Sequence, residues 1–295
     1  MKQTVIKFIA HARSIKKLDN LIHKLFNIPL FFWLSHQFHY RQQMLKARTF
    51  FVENRARVAS VAALFSDEIS KDVYLKMVKF RQNPIRGNLP MSICEDAQYY
   101  SNEYFSYGDN EVLVDCGAYN GDSIDKFKKA VAEHSGSIKR IVAFEPDDKN
   151  YMELAKSHKD VLAFKAGVWS DDGEIAFNLA MDSSARFIVD GSYDKFEKGE
   201  DEQLTQISVR AIDNCSECEG VTFLKMDIEG SELPALNGAY NTIKKYKPRL
   251  AICIYHSDKE MITIPEWMHE NFPEYKLFVR QHGFGMGETV LYGFV

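Results

Sequence analysis

Long apolar runs are absent from this sequence. A transmembrane helix needs about 20 consecutive apolar residues, whereas the run Ile28–Leu34 is much shorter and contains Pro29. The amino end also lacks the continuous apolar core, followed by small residues, that marks a secretory signal peptide. We therefore expect no membrane span and a cytoplasmic location.

Cysteine is scarce as well. The five cysteines are odd in number and scattered along the chain, which argues against a disulfide framework and for a reducing compartment. Cys215 and Cys218 have the spacing of a metal-binding pair, but the neighbouring sequence offers no two further ligands for structural zinc. We interpret the two cysteines as ordinary turn residues.

Acidic residues are nearly missing from the first 60 positions. This segment has eleven Lys and Arg but two Asp and Glu, so its charge is +9 and that of the remainder is −13. Apolar residues recur among the basic ones at helical spacing. We predict a basic helical extension over residues 1–100 and a second domain over residues 101–295.

The basic extension has two candidate partners. A basic amphipathic segment can lie on an anionic membrane, so residues 1–57 are a candidate for peripheral contact at the inner face of the membrane. The alternative is that the segment packs against the domain or against a second copy in an oligomer. Nucleic acid is not an expected partner, because no recognition motif accompanies the charge.

From Glu111 onward, short apolar runs alternate with helical patterns. Such alternation predicts an α/β fold built on a mostly parallel sheet. Strands are predicted at 112–114, 140–144, 161–165, from Val221, at 249–256, and in a terminal pair at 275–281 and 288–294. Helices are predicted to run from Ser123 to His134 and from Leu233 to Lys245.

The loop after the first strand has the features of a ligand site. In open α/β sheets, ligands bind beyond the carboxyl ends of the strands. The spacing of Gly117 and Gly121 leaves no Gly at 119, so the dinucleotide fingerprint is absent. Asp115 suits a ligand with a positive group and would repel a pyrophosphate. We therefore predict that this loop binds S-adenosylmethionine through the following residues: Asp115, Gly117, Ala118, Tyr119, Asn120, Gly121 and Asp122.

Two later strand ends complete the predicted cofactor site. Glu145-Pro146 ends the second strand, and an acid there commonly binds both ribose hydroxyls of a nucleoside. Gly167 and Val168 follow the third strand, where residues flanking an adenine ring are expected.

The fourth and fifth strands supply the candidate catalytic residues. Asp227 and Glu229 are two apart on a segment predicted to be extended, so they should project to the same side. No third side chain that could complete a metal site with them is apparent, and we expect no metal. His256 ends the fifth strand and, with an ordinary pKa near ~6.5, is the candidate general base. A merely hydrogen-bonded histidine is the alternative.

Four stretches resemble the FkbM family of S-adenosylmethionine-dependent methyltransferases: 114–122, 143–146, 223–232 and 248–256. The resemblance spans about residues 60–295, and Lys-x-Asp-x-Glu-Gly-x-Glu is its most specific element. It implies a class I methyltransferase Rossmann-like sheet of seven strands, mostly parallel with an antiparallel terminal strand. It also implies the cofactor S-adenosyl-L-methionine and, typically, O-methylation of a sugar or another small molecule. By the same resemblance, Asp227 borders the methionine part of the cofactor and the acceptor.

We expect methyl transfer by direct displacement, with His256 or Asp227 assisting deprotonation of the acceptor hydroxyl. Two other functions stay open at this point. An NAD(P)-dependent Rossmann oxidoreductase would share the sheet and the ribose acid. A non-catalytic scaffold would keep the cofactor fold and use its basic arm to bind a membrane or a partner.

Overall fold

The computed structural model describes residues 43–90, 98–100, 104–178, 186–187 and 204–295. Residues 1–42, most of the predicted basic segment, lie outside the described residues. None of the helices in the described part of the chain has the length and hydropathy that a membrane crossing requires.

One seven-stranded sheet organises the described part of the chain. Its strands are β1 (Glu111–Cys116), β2 (Ile138–Phe144), β3 (Leu162–Phe164), β8 (Phe223–Met226), β9 (Arg249–Cys253), β10 (Lys276–Gln281) and β11 (Thr289–Phe294). Their order across the sheet is β10-β11-β9-β8-β1-β2-β3. Strands β1, β2, β3, β8 and β9 are parallel to one another, and β11 is antiparallel to both β9 and β10. The predicted class, a mostly parallel sheet with an antiparallel terminal strand, is confirmed.

The sheet is buried on both faces, which explains why its central strands are mostly apolar. Every residue of β1 is buried, and alternate residues enter different hydrophobic clusters, with Val114 on one face and Leu113 on the other. The helices of this region are α4 (Asp122–Glu133), α5 (Asp148–Ser157), α6 (Glu232–Asn237), α7 (Tyr240–Tyr246) and α8 (Glu260–Asn271).

The helix predicted over 233–245 is two helices, α6 and α7. The break falls at Gly238, where a Cβ atom would lie 2.1 Å from the carbonyl oxygen of Trp169. A side chain at this position would collide with that backbone, so the break requires glycine.

Among the described residues, three α-helices precede the sheet: α1 (43–53), α2 (Arg55–Leu64) and α3 (Glu68–Gln82). Phe65, Tyr74 and Phe80 are buried in the same hydrophobic cluster as one face of the sheet. Ion pairs from Arg81 to Asp258 (2.5 Å) and from Arg280 to Asp67 (2.8 Å) join α3 and its N-cap to the domain. Residues 65–82, inside the predicted extension, therefore pack against the domain.

A second, four-stranded sheet comprises β4 (Gly167–Val168), β5 (Gly173–Asn178), β6 (Arg186–Phe187) and β7 (Leu204–Arg210). Its order is β4-β7-β5-β6. The chain leaves the main sheet after Phe164, so Gly167 and Val168 pair with β7 instead of extending β3.

Candidate functional site

The predicted site residues meet at one edge of the main sheet. Strands β9, β8, β1 and β2 are neighbours and parallel, so the segments that follow them emerge on the same side. These segments carry His256, Asp227, the glycine loop 117–121 and Glu145 respectively. This is the edge at which open α/β sheets bind ligands.

The two glycines of the loop are required by its contacts with the protein itself. Gly117 and Gly121 have φ values of +78° and +96°, which L side chains rarely adopt. A Cβ on Gly117 would lie 1.9 Å from the carbonyl oxygen of Asp227, and one on Gly121 would lie 2.4 Å from the His158 ring. The loop is thus held against the segments that follow β8 and α5. Tyr119 lies at the tip of the loop and is 48% exposed. Ala118 is buried, Asn120 is half-buried and Asp122 is exposed.

The side chain of Asp115 points into the protein interior and not toward the surface of the glycine loop. Its side chain is fully buried, with Oδ1 2.9 Å from Nζ of Lys225 and Oδ2 accepting a hydrogen bond from Ser123 (2.5 Å). The Lys225 ammonium also donates to the carbonyl oxygen of Gly117 (2.7 Å). Burial would lower the pKa of Lys225, but Asp115 and Asp227 outweigh it and raise that pKa. The charge of Asp115 is therefore paired with that of Lys225, and a contact between Asp115 and the cofactor stays a prediction.

Glu145 joins the loops that follow β1 and β2. Its Oε2 accepts the N–H of Tyr119 and its Oε1 accepts the N–H of Asp147, both at 2.9 Å. The residue is 6% exposed, and this burial raises the pKa of its carboxyl above the usual value. Pro146 follows at the start of the turn, and Asp147 caps helix α5 by accepting the N–H of Asn150 (2.9 Å). Gly167 and Val168 are buried in β4.

Asp227 lies directly after β8 and is surrounded by donors. The hydroxyl of Tyr99 donates to Oδ2 (2.6 Å) and that of Tyr255 donates to Oδ1 (3.0 Å). Nε2 of His256 is 3.2 Å from Oδ1. Burial would raise the pKa of Asp227, but His256 and Lys225 outweigh it and hold the pKa well below the usual range. The side chain keeps 21% of its surface exposed, so this carboxylate can meet a ligand.

His256 lies between two carboxylates. Its Nδ1 is 2.9 Å from Oε1 of Glu232 and its Nε2 is 3.2 Å from Asp227, contacts that are ion pairs rather than well-aligned hydrogen bonds. Burial works against a charged ring, yet these two carboxylates raise the pKa of His256 well above 6.5. The pKa of His256 is thus not the ordinary one expected from the sequence, and its role as the general base stays a prediction.

Asp227, Glu232 and His256 are the one group of three potential metal-binding side chains among the described residues, with atoms within 4.8 Å of one another. The sequence analysis saw no third side chain, because Glu232 and His256 approach only in the fold. The two ring nitrogens point to opposite partners, and the charged imidazole itself balances the carboxylates. We interpret the group as an ion-pair network. Glu229 has φ +57°, so it is not extended as predicted, although its Oε2 is 3.8 Å from His256 Nε2.

Sequence reasoning missed several residues of this edge. Lys225 was a visible signal, because a lysine within an otherwise apolar, buried strand needs a buried partner. Tyr99 and Tyr255 gave no signal beyond their aromatic character, since Tyr99 reaches Asp227 from a segment 128 residues away in sequence.

Comparison with known proteins identifies the family. The family model described as "Methyltransferase FkbM domain" matches residues 115–286, more than half of the chain. The fold is similar to that of the methyltransferase FkbM from Methylobacillus flagellatus, with a TM-score of 0.68 and 23% identity, over 84% of this chain and 60% of that one. This chain thus spans about 60% of the length of that protein. Among proteins of curated function, none matches significantly.

Two more distant structures are similar over part of the chain. An rRNA methylase from Streptococcus thermophilus has a TM-score of 0.37 and 13% identity, over 63% of this chain and 87% of that one. Aeropyrum pernix fibrillarin, with natively bound S-adenosyl-L-methionine, has a TM-score of 0.37 and 10% identity, over 63% and 67%. On the family match, the chain belongs to the FkbM family of S-adenosylmethionine-dependent methyltransferases.

Proposed function

We propose that this protein transfers the methyl group of S-adenosylmethionine to a hydroxyl of a sugar, a glycan or a related small molecule. Family membership supports methyl transfer, and the surroundings of Asp227 support a hydroxyl acceptor. A carboxylate has about four acceptor positions, and the hydroxyls of Tyr99 and Tyr255 take two of them. The Asp227 side chain is 21% exposed, so it can also accept a hydrogen bond from an acceptor O–H, and this exposed carboxylate is the observation that carries the proposal.

The residues of the edge fit the cofactor. Each oxygen of the Glu145 carboxylate accepts one backbone N–H, so acceptor capacity remains for two ribose hydroxyls. In this proposal, the loop 117–122 lies along the cofactor, and Gly167 and Val168 flank the adenine. Asp115 acts indirectly, because it holds Lys225 in the position from which its ammonium donates to the loop. When bound, the cofactor supplies a methyl group on a cationic sulfur, which needs no acid to leave.

The protein's task is then mainly to align the acceptor oxygen. Asp227 orients the acceptor O–H by accepting its hydrogen bond, and alignment is itself a large part of such a reaction's rate. With its pKa held low, Asp227 is a weak base, so we assign the released proton to water. His256 acts as a positioning residue, since its charged ring fixes the Asp227 carboxylate.

The test is transfer of labelled methyl from S-adenosylmethionine to a carbohydrate extract of cells that lack the protein. We expect label in a base-stable methyl ether and a product heavier by one CH₂ per acceptor. Asp227→Asn should abolish transfer while S-adenosylhomocysteine still binds. Label in an amine, a carbon or an ester would contradict the hydroxyl acceptor, and no label in any extract would support the scaffold alternative.

We also propose that residues 1–57 attach this protein to an anionic membrane. The charge of the first 60 residues supports this, as do Leu45 and Val52, which are 53% and 69% exposed on α1. The full chain should sediment with vesicles containing phosphatidylglycerol, and salt should release it. Equal binding to phosphatidylcholine vesicles would contradict an electrostatic attachment. A dimer in light scattering, without vesicle binding, would favour a second copy as the partner.

A further inference from the structure

Two buried carboxyl groups lie beside the turn 228–230, which follows Asp227. Glu232 is 0% exposed and Glu260 is 5% exposed, and both carboxyls lie close to Gly230. They come from different helices, α6 and α8. Neither takes part in the cofactor or acceptor contacts described above.

Glu232 holds the turn that follows Asp227. Its Oε1 accepts the N–H of Ile228 (2.9 Å) and its Oε2 accepts the N–H of Gly230 (3.0 Å). Oε1 also lies 2.9 Å from Nδ1 of His256. An ionised carboxylate suits this set of donors, because it accepts at both oxygens and donates at neither.

Glu260 lies near the same turn, at the start of α8. It forms a reciprocal pair with Ser257 at the start of α8: the Ser257 N–H donates to its Oε2 (3.0 Å), and its own N–H donates to the Ser257 Oγ (3.1 Å). Its carboxyl also lies close to the turn, since a Cβ on Gly230 would be 3.9 Å from Oε1 of Glu260.

The charged groups that face Glu260 are Glu232, from the start of α6, and His256, from the end of β9. Two adjacent buried carboxyls cannot both ionise without a large cost. Because Glu232 accepts two backbone N–H groups and lies 2.9 Å from Nδ1 of His256, whereas Glu260 accepts one backbone N–H, the proton belongs on Glu260. Burial and the neighbouring Glu232 raise the pKa of Glu260 to about 9.

We propose that Glu260 is a positioning residue of the methyl-transfer site: as the neutral acid it donates a hydrogen bond to Glu232, and through Glu232 it holds the 228–230 turn and His256 in register with Asp227. This inference rests on the proposed function. Ionisation of Glu260 at alkaline pH removes that donor and adds a second negative charge, so the turn and the His256 ring lose their fixed position. Since the carbonyl of Asp227 packs against Gly117, the cofactor loop is affected as well.

The experiment compares the wild-type chain with Glu260→Gln and Glu260→Ala. Glutamine keeps an N–H donor for Glu232 and an oxygen for Ser257, but it cannot ionise. The two measurements are S-adenosylhomocysteine affinity by calorimetry and methyl transfer to the carbohydrate extract, each as a function of pH. In the wild type, the affinity for S-adenosylhomocysteine and the rate of methyl transfer should each fall roughly tenfold as the pH rises through about 9. This is the loss expected when a hydrogen bond to a charged group is removed.

Glu260→Gln should match wild type near neutral pH and lack the alkaline loss, whereas Glu260→Ala should be about tenfold weaker at neutral pH. The inference is overturned if Glu260→Gln keeps the alkaline loss or is as impaired as Glu260→Ala. If Glu260→Ala does not fold, the pH profile of Glu260→Gln decides alone. If the wild type transfers no methyl group to any extract, the proposed function fails, and the pH dependence of S-adenosylhomocysteine affinity still decides whether Glu260 holds the turn.

Discussion

The buried pair of Lys225 and Asp115 gives the sharpest test of how the cofactor loop is held. Both side chains are almost entirely enclosed, at 3% and 0% exposure, with the ammonium 2.9 Å from the carboxylate. The same ammonium donates to the Gly117 carbonyl (2.7 Å). Replacing Lys225 with Met keeps most of the length of the side chain but leaves a carboxylate buried without its countercharge.

Removing one partner of a buried ion pair typically costs about 3–5 kcal/mol, because an uncompensated charge remains. We therefore expect Lys225→Met to lower the free energy of unfolding by about this amount in urea denaturation. Asp115→Asn alone should also destabilise, since the lysine then remains charged in the interior.

The double variant Asp115→Asn/Lys225→Met is the control. With both charges gone, it should be more stable than Lys225→Met, and the double-mutant cycle should give a coupling free energy of about 2 kcal/mol or more. A change below about 1 kcal/mol in Lys225→Met, or additive effects in the cycle, would refute the view that these two charges compensate each other.

Three further predictions concern the same edge. Glu145→Ala should lower S-adenosylhomocysteine affinity at least about tenfold in calorimetry through the lost hydrogen bonds, and unchanged affinity would remove Glu145 from the cofactor site. Gly121→Ala should lower the free energy of unfolding by about 1–3 kcal/mol, because Gly121 has a positive φ and an added Cβ would collide with the His158 ring. The control Gly173→Ala, with nothing within 4 Å of the added Cβ, should change it by less than about 0.5 kcal/mol. The pKa of His256 is raised in the folded state. Its ion pairs therefore stabilise the folded state fully below the unfolded-state pKa of about 6.5, and this stabilisation is lost as the pH rises through the folded-state pKa. The difference in unfolding free energy between wild type and His256→Gln should therefore shrink at alkaline pH in urea denaturation, and a pH-independent difference would contradict the charged imidazole.

Local sequence determined the sheet and its ligand-binding edge. The apolar runs at β1 and β2 can be buried only as strands between two hydrophobic layers, and Gly117 and Gly121 permit the turn that follows β1. These properties depend on neighbouring residues, so their spacing was enough to predict them. Even the antiparallel end of the sheet was visible, because its two last strands are close in sequence.

The charge states of the site were decided by the tertiary structure alone. Asp115 and Lys225 are 110 residues apart, and His256 meets Glu232 only when β9 is placed beside the turn after β8. A pKa depends on burial and on the charges within a few ångströms, and neither is visible in a linear pattern. For this reason the sequence indicated which residues gather at the edge, whereas only the fold showed that Asp115 pairs with Lys225, that His256 lies between Glu232 and Asp227, and that Tyr99 reaches Asp227.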